Sequence, residues 1–179
     1  AWGFPKTTPT EVVDDYIASW DGVPATDFAL HVAFDSTDDP AAEVPRLVER
    51  GVTSFKFFTA YRKRGMMVDD RHLMAGLEAV ARGGGIAAVH AENGDAIDVL
   101  IKEAQAKKQT APKYHALTRP VETEGEVTNR AIQPAHVAAA ALYVVHVCCE
   151  PSIDPIAHPP HDDRNTHRPP PPPSPFSHT

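Results

Sequence analysis

The segment Val52-Thr-Ser-Phe-Lys-Phe-Phe58 is a short run of β-branched and aromatic residues with one lysine in it. Such a run, bounded by glycine, predicts a β-strand. It is nearly continuously apolar, which is typical of a parallel strand covered on both faces. Gly51 ends a predicted helix before it, and Asp69 or Asp70 begins another after it. The segment therefore predicts one βα unit of an α/β fold.

Working outward, three more apolar runs predict strands, at residues 27–34, 86–91 and 142–147. Helices are expected from about Asp38 to Gly51, from Asp69 or Asp70 to about Arg82, from Asn93 to about Lys108 and from Thr123 onward. Residues 109–121 are expected to form a loop, and Pro134 to kink or interrupt the last helix. Two architectures fit these repeated βα units: a doubly wound sheet or part of a (β/α)₈ barrel. A full barrel needs roughly 250 residues, so this chain supplies about half of one.

The composition divides the chain into an α/β domain, residues 1–149, and a tail, residues 150–179. The tail holds ten of the 18 prolines and four of the ten histidines, with few large apolar residues. Such a segment buries too little apolar surface to offset its ordering entropy, so we expect a disordered, polyproline-like tail. We interpret it as a non-native extension, with a ligand for proline-recognition domains as the alternative.

Charge and cysteine content narrow the functional classes. The net charge is −7 and the pI is about 5.8, which argues against a nucleic-acid-binding or anionic-membrane-binding surface. The two cysteines are adjacent, Cys148 and Cys149, so no disulfide framework is expected and a reducing, cytoplasmic location is predicted. No apolar run approaches the ~20 residues needed to span a membrane.

Polar residues capable of metal chemistry stand within or at the ends of three predicted strands: Lys56, His90 and His146. Because sites in parallel α/β folds form at the carboxyl ends of strands, these side chains are expected to converge. Neutral imidazole is a standard zinc ligand. Taken singly, each histidine could instead be a hydrogen-bonded residue of the core or the rim. The lysine could instead extend its charged end to solvent. His31 is interpreted as structural.

Three segments carry a resemblance to a known family. Gly51-Val-Thr-Ser-Phe-Lys-Phe-Phe-Thr-Ala-Tyr61, Val89-His-Ala-Glu-Asn-Gly-Asp95 and Leu142-Tyr-Val-Val-His-Val147 resemble motifs of the dihydropyrimidinase/D-hydantoinase family of the amidohydrolase superfamily. The similarity runs from about Trp20 to Cys148, with the motifs in family order. It implies a partial TIM barrel containing roughly strands three to six.

The resemblance also implies an activity and its residues. The family hydrolyses cyclic amides, dihydropyrimidines or hydantoins, by a metal-bound hydroxide, and its members are commonly homotetramers. By resemblance, Lys56 is carboxylated and bridges two Zn²⁺ or similar divalent ions, while His90 and His146 bind the second ion. Tyr61 corresponds to a tyrosine that donates a hydrogen bond to the developing oxyanion.

Two departures limit what the resemblance implies. The sequence contains no His-x-His pair, which the family uses on its first barrel strand, and the aspartate-bearing last strand would lie beyond Val147. We therefore expect an incomplete metal site, a chain that is inactive by itself, and self-association through its open edges and apolar face. The alternatives are a non-catalytic structural or signalling relative, against which the retention of Lys56, His90 and His146 together argues, and an unrelated α/β binding domain.

Overall fold

In the computed structural model, which describes residues 7–20 and 22–159, four parallel strands pair in the order β1-β2-β3-β4. Each strand pairs with the next along the chain, so every crossover steps in the same direction. This order is that of a barrel segment and differs from the reversing order of a doubly wound sheet. The strands are β1 Val32–Ala33, β2 Ser54–Phe58, β3 Ile86–His90 and β4 Ala141–Val144.

The helices lie between and around these strands. Asp39, Asp69 and Asn93 cap three of them by accepting backbone N–H bonds, as the sequence predicts. No helix in the described ranges is long and apolar enough to cross a bilayer. The helices are α1 Pro9–Trp20, α2 Pro40–Glu49, α3 Asp70–Gly83, α4 Gly94–Ala106, α5 Lys113–Leu117, α6 Val121–Ala138 and α7 Glu150–Ala157, with a 3₁₀ turn at Arg62–Arg64.

The core lies between one face of the sheet and the helices. Phe55, Phe57 and Val89 are fully buried on this face, and Leu77 of α3 belongs to the same apolar cluster. Phe34 stacks on Phe57, with ring centroids 5.5 Å apart. These contacts fix the strands against the helices and so determine where the strand ends lie.

The opposite face of the sheet carries Ser54, Lys56 and Phe58 of β2, which pair with Ile86, Ala88 and His90 of β3. Ile86 and Tyr143 on this face are 39% and 58% exposed. Part of this face is therefore open in the described part of the chain, although Lys56, Ala88 and His90 on it are buried. In a closed barrel this face is the interior, which side chains from all the strands fill.

Two predicted segments differ from the structure at the start and middle of the chain. The strand predicted at residues 27–34 is reduced to Val32–Ala33, an edge strand that pairs with β2 alone among the described strands. The loop predicted at residues 109–121 contains the short helix α5.

The last predicted helix also differs. It begins at Val121, and Thr123 lies inside its first turn, where its hydroxyl donates to the Pro120 carbonyl. Thr123 is therefore not the cap. The helix continues through Pro134 to Ala138 without interruption, because the missing N–H of proline costs one hydrogen bond while packing of α6 on the core holds the rest.

The tail prediction is wrong for residues 150–157, which form α7. Pro151 stands in the first turn of this helix, where proline needs no hydrogen-bond partner. The fully buried Ser152 donates to Glu124 and meets the Thr128 hydroxyl, so α7 packs on α6. Residues 160–179, including the proline run, lie outside the described residues.

Candidate functional site

Lys56 lies in the middle of β2 on the open face of the sheet, yet its side chain is buried. Its ammonium nitrogen has no hydrogen-bond partner among the described residues and stands 4.8 Å from the centroid of the Phe58 ring. Burial lowers the pKa of Lys56 to about 8, because the low-dielectric surroundings disfavour the charged form. About a tenth of this amine is therefore neutral at pH 7, far more than for an exposed lysine.

His31 lies beside this lysine on the same face. Its Nδ1 contacts the Ser54 hydroxyl at 2.6 Å. Burial lowers the pKa of His31, and the charge of Lys56 lowers it further. The hydrogen bond to Ser54 agrees with the structural interpretation of His31.

The two predicted histidine ligands meet at the carboxyl ends of β3 and β4. The Nδ1 atom of His90 and the Nε2 atom of His146 are 2.9 Å apart. Two nitrogens bound to one tetrahedral zinc ion lie about 3.3 Å apart, from bond lengths of about 2.0 Å. The pair thus already has nearly the separation that a shared metal requires.

The backbone explains how His146 reaches its partner. His146 follows β4 by two residues and has a φ of 38°, in the left-handed region. The preceding residue, Val145, still donates its N–H to the Val89 carbonyl at 3.2 Å. The pairing therefore ends at Val145, and the left-handed turn redirects the His146 side chain towards His90. Such strain in a non-glycine residue is typical of functional sites.

A carboxylate holds the other side of the His90 ring. The Nε2 atom of His90 is 2.7 Å from the Glu92 carboxylate, and the Arg119 guanidinium lies 3.5 Å from the second oxygen of that carboxylate. The hydrogen bond with His90 holds the pKa of Glu92 below its usual value, against the opposing effect of burial. The group is therefore a negative charge fixed behind the histidine pair.

Tyr61, the predicted oxyanion donor, also lies at this end of the sheet. Its ring centroid is 4.9 Å from that of His90, and its φ of 68° places it in the left-handed region. Burial, with the nearby charge of Glu92, raises the pKa of Tyr61. Its hydroxyl consequently stays protonated at neutral pH and can donate a hydrogen bond.

Phe58 lies close to both Lys56 and His90. Phe58 contacts the ammonium of Lys56, and its ring centroid is 5.7 Å from that of His90. Within the described ranges no group of three or more histidine, cysteine, aspartate or glutamate side chains could hold a metal ion. The donors present suit a metal chemically, since an orphaned buried amine and two convergent imidazoles are there, but they form only part of a ligand set.

The contacts that link Glu92 and Arg119 to the histidine pair were not predicted from the sequence. Glu92 follows His90 by two residues at a strand end, and alternate residues of an extended chain point to the same side. That spacing is a signal that could have suggested a partner for His90. Nothing in the sequence indicates Arg119, because it reaches the site from the turn between α5 and α6.

Comparison with known proteins gives consistent similarities. No family model matches the chain. The D-hydantoinase of Rhizobium radiobacter is 44% identical over 144 residues, covering 77% of this chain and 31% of that enzyme. The dihydropyrimidinase of Arabidopsis thaliana is 43% identical over 133 residues, 73% of this chain and 25% of its own length. A crystal structure of D-hydantoinase superposes with a TM-score of 0.77 at 41% identity, covering 86% of this chain and 34% of that one.

The comparisons also show how much of each relative the chain covers. The chain spans about a third of the length of the relatives it matches, 31% and 34% in two of these comparisons. The likeness covers most of this chain, 77% and 86% in the same two comparisons. It does not include the remaining two thirds of those proteins.

Proposed function

We propose, on the premise that this chain belongs to the dihydropyrimidinase/D-hydantoinase family, that it forms part of a metal-dependent hydrolase that opens cyclic amide rings. The proposal is carried by two observations: the buried amine of Lys56, which has no hydrogen-bond partner among the described residues, and the converging imidazoles of His90 and His146 at the ends of the next two strands. A lysine without a hydrogen-bond partner is costly in a purely structural role. The proposed substrates are small cyclic amides, of the dihydropyrimidine or hydantoin type.

Lys56 is proposed to be the carboxylated, metal-bridging residue. An amine reacts with carbon dioxide only in its neutral form, and burial favours that form here. The amine nitrogen bonds to the carbon of CO₂, a proton is lost to solvent, and the lysine becomes an anionic carbamate. That anion would add oxygen ligands to the two imidazoles.

His90 and His146 would hold one divalent metal, which we propose to be zinc because imidazole suits that ion. Bound metal supplies Lewis-acid activation of the ring carbonyl and of the attacking water. The Tyr61 hydroxyl, kept protonated by its surroundings, would donate a hydrogen bond to the oxygen on which negative charge develops.

The first experiment is zinc binding by the 179-residue chain, measured by competition with a chelating dye. We expect His90→Ala and His146→Ala each to lower the Zn²⁺ affinity by about 100-fold or more, because a two-nitrogen site cannot lose one ligand and persist. His136→Ala on α6 is the matched control and should leave the affinity unchanged. Equal affinities for all four proteins would contradict the assignment of these histidines.

We expect the purified chain by itself to leave hydantoin and dihydrouracil unhydrolysed in the presence of Zn²⁺ and bicarbonate. The reason is that the sequence lacks the His-x-His pair that the family site requires. Zinc-dependent ring opening, detected by chromatography of the carbamoyl amino acid product, would overturn this expectation.

The non-catalytic alternative gains no support, since the similar proteins carry enzyme names.

Two further properties are proposed, a location and an oligomeric state. The free thiols of Cys148 and Cys149 suit a reducing, cytoplasmic location. A homotetramer is proposed for the complete protein by resemblance. Sedimentation velocity of the complete protein would test the tetramer, because a monomer or a dimer at micromolar concentration would exclude it.

A further inference from the structure

We infer that Glu92 is the positioning residue of His90: it fixes the ring orientation and the tautomer that leave the Nδ1 lone pair free for a metal. This inference deepens the proposed function and rests on it. Its basis is the chain of contacts from Arg119 through Glu92 and His90 to His146.

The first step concerns the proton on His90. An ionised carboxylate can only accept hydrogen bonds, and one oxygen of Glu92 is 2.7 Å from the Nε2 atom of His90. The proton must therefore sit on Nε2. In the neutral imidazole the other nitrogen, Nδ1, then carries the lone pair, and this is the atom that faces His146 at 2.9 Å.

The second step concerns His146. Because the His90 Nδ1 atom is the acceptor in this contact, the Nε2 atom of His146 carries the donated proton in the metal-free state. For a metal to take the lone pairs of both rings, His146 would have to carry its proton on Nδ1 instead of Nε2, through exchange with solvent, so that the ring stays neutral. The hydrogen bond between the two rings thus marks the position where a metal would receive both lone pairs. Glu92 determines which nitrogen of His90 points to that position.

The third step concerns what fixes Glu92 itself. Its second carboxylate oxygen lies 3.5 Å from the Arg119 Nε atom. Its backbone N–H donates to the Thr59 hydroxyl, and that hydroxyl lies within hydrogen-bonding distance of the Glu92 and His90 carbonyls. The side chains of His90, Glu92 and Arg119 are 9%, 15% and 19% exposed. The carboxylate is thus held on both sides and shielded from water, as an orienting group must be.

Carboxylates that orient a metal-binding histidine typically contribute 10- to 100-fold to metal affinity. We therefore expect Glu92→Ala to weaken Zn²⁺ binding by about 10- to 100-fold, and Glu92→Gln, whose amide oxygen can still accept from Nε2, by clearly less. Glu103→Ala, at an exposed position of α4, is the matched control. Circular dichroism of each variant checks that the fold is retained.

The second readout is the imidazole tautomer, measured in the metal-free chain by ¹⁵N NMR. In the wild-type chain His90 should be protonated at Nε2 alone, and in Glu92→Ala it should shift to a mixture of both tautomers. Glu92→Gln keeps an oxygen that can accept the Nε2 proton, so it should partly restore the wild-type tautomer if Glu92 positions the ring. If Glu92 had only a structural role, the tautomer would not depend on whether residue 92 can accept a hydrogen bond.

The outcomes separate the inference from the proposed function. If His90→Ala leaves Zn²⁺ binding unchanged, the metal assignment fails, while the tautomer measurement still decides the role of Glu92. If zinc binding depends on His90 but Glu92→Ala changes neither affinity nor tautomer, the inference is overturned and the proposed function stands. A loss of affinity together with a tautomer shift supports both.

Discussion

Replacing Phe57 by alanine is expected to lower the free energy of unfolding by about 3–5 kcal/mol. Phe57 is fully buried between the sheet and the helices and stacks on Phe34. Gly76 of α3 lies so close to the Phe57 ring that a Cβ atom there would overlap it. Truncating the ring therefore leaves a cavity that glycine cannot fill, so the loss includes both the transfer and the cavity contribution.

Urea denaturation followed by circular dichroism at 222 nm measures this loss, with the m-value confirming that the same surface unfolds. Phe28→Ala is the matched control, because Phe28 is 46% exposed and touches only the edge of Trp20 among aromatic rings in the described part of the chain. Its replacement should cost about 1 kcal/mol. Equal losses for the two variants would show that the sheet does not pack on α3 as described.

The parallel sheet could be predicted from sequence because its strands are separated by well-capped helices. Asp39, Asp69 and Asn93 each stand where a helix begins. The short apolar runs between these helices therefore indicate strands. The side of the sheet left open could not be predicted. In β2 the open face carries Phe58 besides Ser54 and Lys56, opposite Phe55 and Phe57, so the alternation of polar and apolar residues breaks at the end of the strand.

Helix α7 could not be predicted from the composition of the tail. Its prolines suggested disorder, yet Pro151 occupies a first-turn position that tolerates proline, Pro155 inside the helix removes one backbone hydrogen-bond donor, and Ser152 makes a buried polar contact with α6. Composition averages over positions and does not reveal such a contact. A buried polar contact with another helix leaves no periodic apolar signal at all.

The site could be predicted in part. Lys56 and His90 lie within or at the end of regular strands, so their common side follows from pleating and register. His146 lies beyond its strand in a left-handed turn that no sequence pattern indicates. Arg119 comes from a segment distant in sequence, and its contact with Glu92 depends on how α5 and α6 pack. Tertiary contacts of this kind carry no local signature.

The metal-free chain is expected to become more stable when Lys56 is replaced by methionine, by about 3 kcal/mol at pH 7. Burial depresses the pKa of Lys56 from 10.5 to about 8, and a difference of this size corresponds to about 3 kcal/mol. The unfolded chain holds the lysine proton up to about pH 10.5, while the folded chain releases it near pH 8. Folding therefore carries the full cost below pH 8, and stability rises with pH between these values.

Urea denaturation of the wild-type chain and Lys56→Met, in CO₂-free buffer with a chelator, measures the difference at pH 7 and pH 10. It should shrink from about 3 kcal/mol to below about 1 kcal/mol. Lys102→Met, at an exposed position of α4, should match the wild type at both values. A gain independent of pH would mean that packing alone, and not the buried amine, is the cause. A pH-dependent gain means that the chain retains a destabilising lysine, and carboxylation by CO₂ is the reaction in which that same neutral amine would be useful.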